Sequence, residues 1–114
     1  RLAALDGDLY RFLLEVRQHL PERPVRLFIV SADPHGFPAG RARYHLLPHN
    51  GYAGFSRVPH VGEARAGDYV LILSPLNGVG YNRSSQALEW QGGRLPAEML
   101  YVAAVGALFR VRGG

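Results

Sequence analysis

A chain of 114 residues is long enough to fold as one domain around its own hydrophobic core, without a disulfide or metal staple. It contains no cysteine, which excludes disulfides and thiol chemistry. Its formal charge of +4 comes from 13 arginines with no lysine, a usage that reads as coding bias; the arginines are scattered and no recognition motif accompanies them, so nucleic acid is not an expected partner.

Leu5, Leu9, Phe12, Leu13, Val16 and Leu20 recur at helical spacing and predict an amphipathic helix over residues 7–19, capped by Asp6 or Asp8 and ended by Pro21 and Pro24. Val25 to Val30 is a nearly unbroken apolar run, the pattern of a strand buried on both faces. Asp33 and Pro34 then supply a cap and a first helical residue for a helix starting at Pro34 or Gly36 and running to about Leu47. Its spacing puts Phe37, Gly40, Tyr44 and Leu47 toward the sheet, with Arg41 at the edge of that face, bonded to Asp33, Asp68 or backbone carbonyls.

Pro48 stops that helix and residues 49–55 form a second strand, weakened by Gly51 and Gly54. After a connecting loop over 56–67, residues 68–74 repeat the buried-strand pattern. The Gly, Asn and Ser content of 75–85 predicts a loop, followed by a short strand over 87–90 and a turn at 91–93. Residues 96–104 fit either a helix starting at Pro96 or a strand; the preferred reading is a closing hairpin of 99–103 and 107–112, with Ala107, Phe109 and Val111 on one face and Leu108, Arg110 and Arg112 on the other. The expected fold is a single α/β domain over residues 1–114. It has a small mixed sheet with a parallel centre, Rossmann-like, with helices packed on it and a C-terminal β-hairpin.

If the two apolar strands run parallel, the loops 31–41 and 75–85 leave the same sheet edge, where open α/β sheets bind ligands. Ser31, His35, Arg41, Asn77, Asn82, Arg83 and Ser84 would form a candidate anion site there, beside Tyr81 and the N–H groups of the helix start. Asp33 would compete for those donors. Gly36, Gly40, Gly78 and Gly80 lack dinucleotide-binding spacing, and without lysine there is no P-loop, so no cofactor is expected. His45 and His49 have the spacing of a helical zinc pair, but Pro48 separates them and no metal site is expected. No serine lies in a nucleophile elbow and the carboxylates are dispersed, so no intrinsic enzymatic activity is expected.

The segment Arg41-Ala-Arg43-Tyr44-His-Leu-Leu-Pro48, entered from a buried strand and an Asp-Pro turn, is followed at the end by Gly106-Ala-Leu-Phe-Arg-Val-Arg112. Residues 20–112 thereby resemble the extracytoplasmic C-terminal α/β domain of bacterial polytopic membrane glycosyltransferase-like proteins. The resemblance implies a non-catalytic accessory or interaction domain of a larger, membrane-anchored protein, on the periplasmic side. Its partners would be the rest of that protein and an anionic glycan, lipid-linked sugar or lipid headgroup. It carries over no catalytic residue. The start at Arg1 fits a piece of a longer chain, and no run here approaches the ~20 apolar residues that span a bilayer. The alternative is a small soluble enzyme or binding module for a phosphorylated ligand, in which Arg41 and Arg83 converge.

Overall fold

The computed structural model describes residues 2–46, 49–74 and 76–113, and the backbone alone for 2–6 and 50–54. Helix α1 (Leu2–Gln18) begins ahead of both aspartates predicted to cap it, and Asp8 instead pairs with Arg11 one turn on, at 2.7 Å. Leu9, Phe12, Leu13 and Val16, spaced three and four apart, are buried against the sheet.

Strands β1 (Arg26–Val30) and β3 (Tyr69–Leu73) form from the two apolar runs. Phe28, Ile29, Val70, Ile72 and Leu73 are buried, as two-sided burial requires. β1 pairs in parallel with β3 on one side and with β2 (Asn50–Phe55) on the other. The remaining strands, β4 (Val79–Asn82), β5 (Ala87–Trp90), β6 (Gly93–Val102) and β7 (Gly106–Val111), are antiparallel to their neighbours. The order across the sheet is β2-β1-β3-β7-β6-β5-β4.

The fold is thus mixed α/β, but the expected parallel centre needs correction. The middle strand is β7, antiparallel to both neighbours, and the parallel strands make up one side. The alternation in β7 explains its place: Phe109 and Val111 enter one buried cluster and Leu108 the other, so both faces of the strand need cover. Gly106 lets β7 start hard against β3, since a Cβ there would collide with the Ile72 carbonyl oxygen.

The two clusters occupy the two faces. α1 lies on one, over Leu27, Ile29, Leu71 and Leu108. The other, centred on Phe28, Val70 and Phe109, is covered by Leu88, Leu95 and Ala97 and by Val58 and Ala64 from the 56–68 connection. β6 makes this possible because its first half pairs with β5 and its second half with β7, with a break in register between Met99 and Tyr101. Pro96 stands between the two halves; it has no N–H to lose, and its carbonyl accepts from the Arg112 N–H at 2.9 Å. The Tyr81 hydroxyl fastens β4 to the same bend, donating to the Ala97 carbonyl at 2.8 Å and accepting from the Met99 N–H at 3.3 Å.

Helix α2 (Phe37–His45) joins β1 to β2 and lies on the same face as α1. Its phase differs from the one predicted. Ala39, Ala42 and then Leu46 are buried, while Phe37 and Tyr44 point out at 59% and 68% exposure. Two alanines let the helix axis approach the sheet closely, a packing that large rings at the same positions would prevent. Asp33 does not cap the helix; Gly36 is the cap residue, with no side-chain cap bond.

Candidate functional site

The expected anion site does not assemble. Ser31 follows β1 and is buried, its hydroxyl donating to the Asp33 carbonyl at 3.2 Å and accepting from the Asp33 N–H at 3.1 Å, so it closes a turn. His35 is exposed in that turn. The Asp33 carboxylate lies against Gly36, where an anion at the helix start would have to sit.

Residues 75–85 are not one loop. A turn at Asn77–Gly78 leads into β4, and the Val79/Tyr81 alternation carries the chain back along the sheet. Asn82 ends that strand, and its side-chain oxygen accepts from the Ser84 and Ser85 N–H groups at 3.0 and 3.1 Å. Arg83 and Ser84 therefore sit at an exposed hairpin tip. That tip is held from the far end of the sheet, where Arg112 donates to the Gln86 carbonyl at 3.2 Å, just beyond the pairing of Arg110 with Tyr69.

Ser31 and Asn77 are thus at the carboxyl edge of the parallel strands, whereas Asn82, Arg83 and Ser84 are at the amino edge. Arg41 is on α2, over one face, and Arg83 on the hairpin whose Leu88 covers the opposite face. The two guanidinium groups do not converge, which removes the geometric basis for a shared phosphate site. Asp68, one of the acceptors expected for Arg41, is a buried carboxylate that accepts from the Arg65 N–H at 2.8 Å and has the Arg26 Nε at 3.7 Å, a partner the sequence reading missed.

Among the described residues no group of three or more His, Asp or Glu side chains could hold a metal ion. His49 has a structural role. It is buried, its Nδ1 accepts from the Val25 N–H at 3.2 Å, and burial, followed by the nearby Arg17 charge, lowers its pKa from the ordinary 6.5. A cleft of about 230 Å³ opens beside β4, walled by Ile72, Leu76, Val79, Tyr81, Met99 and Phe109. Among the described residues its lining contains no carboxylate, imidazole or guanidinium.

Scans against family models, curated proteins and solved structures each returned no match. Surface chemistry is left to indicate what the chain does.

Of the large apolar side chains exposed among the described residues, Tyr10, Leu14, Phe37 and Tyr44 are on the helical layer. The Arg41 guanidinium lies 5.0 Å from the centroid of the Phe37 ring, and both line an open groove with Gly40 and Tyr44. Tyr44 meets His45 edge-on at 5.5 Å, and His45 meets Tyr10 of α1 at 5.4 Å. Arg17 ties the helices together by donating to the His45 carbonyl at 2.7 Å. Tyr10, Leu14 and Arg17 share the flank of α1 that faces α2, since they are spaced four and three apart. Asp8 and Glu15, seven residues or about two turns apart, share another flank, Asp8 being two residues, roughly 200°, around the helix from Tyr10.

The result is a continuous face of Tyr10, Leu14, His45, Tyr44, Arg41 and Phe37, with Arg17 and Arg43 beside it. Tyr10 and Leu14 are 47% and 44% exposed. Sequence reasoning missed this face because it assigned the rings of α2 to the core. The signal that could have found it is the spacing of Ala39, Ala42 and Leu46, small and apolar at three and four residues.

Proposed function

We propose that this chain is a non-catalytic accessory domain of a larger, membrane-anchored, glycosyltransferase-like protein of bacteria, on the extracytoplasmic side, and that it acts by contact through its helical face. The observation that carries this reading is the run of exposed rings from Tyr10 to Phe37. Large side chains left between 44% and 68% exposed, adjacent and interleaved with arginine, are the composition of a binding surface. In this reading the Rossmann-like likeness is confined to the β1–α2–β2 unit, which presents α2. Among the described residues no helix is long and apolar enough to cross a membrane, and the anchor would lie in other parts of the protein.

The test uses the full-length protein in its native membrane, with a photo-crosslinking amino acid in place of Tyr44 or of Arg83. Crosslinks from position 44 and none from position 83 are expected. Equal crosslinking from both, or none from position 44, would refute the use of the helical face. An open reading frame with no hydrophobic spans on either side would refute the membrane anchor.

A further inference from the structure

We infer that Asn77 and Gly78, in the turn ahead of β4, form a site of spontaneous covalent modification, at which the folded chain converts its own asparagine to an isoaspartyl or aspartyl residue. The reaction needs no partner and is independent of the helical face. The backbone nitrogen of Gly78 attacks the side-chain carbon Cγ of Asn77 and gives up its proton to water. The bond from Cγ to the side-chain nitrogen then breaks, and that nitrogen leaves as ammonia. One water molecule opens the resulting succinimide ring. Attack at Cγ restores the ordinary main chain with an aspartyl side chain, whereas attack at the main-chain carbonyl leaves the chain running through Cγ, one carbon longer, as an isoaspartyl link. Either product puts a carboxylate in place of a neutral amide and lowers the formal charge of +4 by one.

The sequence offers two equal candidates, since two of its three asparagines, Asn50 and Asn77, precede a glycine. Glycine has no Cβ to screen its nitrogen, so the nucleophile is accessible in both dipeptides. Ring closure also requires the chain to rotate between the two residues until that nitrogen reaches the side chain. Asn50 and Gly51 belong to β2, where they pair with Arg26 and Leu27 of β1, and the rotation would break that ladder. Asn77 and Gly78 are both exposed, outside any strand, with the glycine in the left-handed region at φ +83°. Asn82, the third asparagine, is protected twice. Its side-chain oxygen accepts from the Ser84 and Ser85 N–H groups at 3.0 and 3.1 Å, and the residue after it is Arg83, whose side chain shields the nitrogen.

The sheet beyond the turn does not depend on the link that changes. Val79 pairs with Trp90, and the Tyr81 hydroxyl donates to the Ala97 carbonyl at 2.8 Å, so β4 stays fixed while the ring forms and opens ahead of it. The new carboxylate arises between Leu76 and Val79, two wall residues of the apolar cleft. Ageing therefore brings a negative charge to the border of a cleft whose described lining has none.

The experiment is incubation of the native chain, and of the same chain in urea, at mildly alkaline pH. Samples are digested for peptide mass spectrometry, run on isoelectric focusing, and treated with a protein isoaspartyl methyltransferase and labelled S-adenosylmethionine. In the native chain Asn77 should be modified roughly tenfold or more faster than Asn50, a ratio set by the free energy of opening the β1–β2 ladder. In urea the two should be modified at similar rates. Asn77→Ser should remove most of the methyl acceptance and most of the acidic species, while Asn50→Ser should leave both unchanged. Thermal midpoints close to that of the parent chain establish that the variants are folded, and the site-resolved peptides of the parent chain carry the comparison should Asn50→Ser unfold.

Equal rates at positions 50 and 77 in the native chain overturn the inference, as does a native chain in which position 77 stays unmodified. An undiminished acidic fraction from Asn77→Ser overturns it too.

Discussion

Replacing Tyr81 by Phe isolates the contribution of one hydroxyl to the joint between the two parts of the sheet. The ring stays, still packed on Phe109 at a centroid distance of 5.2 Å, so almost no apolar burial is lost. What disappears is the 2.8 Å bond to the Ala97 carbonyl and the 3.3 Å bond from the Met99 N–H. A neutral hydrogen bond contributes about 1 kcal/mol net, and a buried acceptor left without its donor can cost up to about 3 kcal/mol. Ala97 is fully buried, so its carbonyl gains little from water, while the longer Met99 bond contributes less. The expected loss is about 1–2 kcal/mol, or a fall in Tm of about 4–8 °C for a domain of this size. Calorimetry gives the midpoint, and urea titration should show a lower midpoint with an unchanged slope. A loss below about 0.3 kcal/mol would refute the bridging role of the hydroxyl. A loss above about 4 kcal/mol would show that ring packing, not hydrogen bonding, had been disturbed.

Two glycine substitutions should have opposite effects. Gly106→Ala forces β7 away from the Ile72 carbonyl and should lower the thermal midpoint, whereas Gly7→Ala, in open space within α1, should raise stability by about 0.5–1 kcal/mol. His49 sets an acid limit. Its folded-state pKa lies below the unfolded value, so its contribution is fully present above about pH 6.5 and is lost as pH falls through the folded value. Urea midpoints taken from neutral to mildly acidic pH should decline for the parent chain and decline less for His49→Gln. Glu63 is held down to about 2, first by the Arg57 guanidinium at 2.9 Å and then by the His60 N–H, so NMR titration of its carboxyl should find a midpoint near that value in the parent chain and a higher one in Arg57→Gln.

The strands that positioned correctly in the sequence are those whose burial is uniform or strictly alternating. Leu27 to Val30 and Tyr69 to Leu73 need cover on both faces, and the alternation from Ala107 to Val111 sends side chains to two cores. Helix α1 was legible because its buried residues are its large ones. Helix α2 was not, for the opposite reason: it buries Ala39 and Ala42 and exposes Phe37 and Tyr44. Size is a guide to burial only where the helix stands far enough off the sheet to need filling.

Strand β4 was hidden by its composition. Gly80 and Asn82 read as loop chemistry, yet Val79 and Tyr81 alternate, and Asn82 ends the strand by capping its own turn. That misreading moved Arg83 to the wrong end of the sheet and created an apparent anion site with Arg41. The Arg26–Asp68 contact was out of reach for another reason, since it depends on the chain crossing from β2, over β1, to β3 through residues 56–68, whose path no local pattern specifies.

The position of β7 has a consequence for how the chain is made. Of the seven strands described it is the last in chain order, yet it is the middle of the finished sheet. Until residues 106–111 emerge, β3 has a bare edge of backbone donors and acceptors, and the β4–β5–β6 meander has no main sheet to join. Stable structure in this sheet must therefore arise after synthesis of the β6–β7 hairpin, when Tyr69 to Leu73 can pair with residues more than thirty positions downstream. Nascent chains stalled before Gly106 should be protease-sensitive throughout, and their exposed apolar strand edge makes them candidates for chaperone capture.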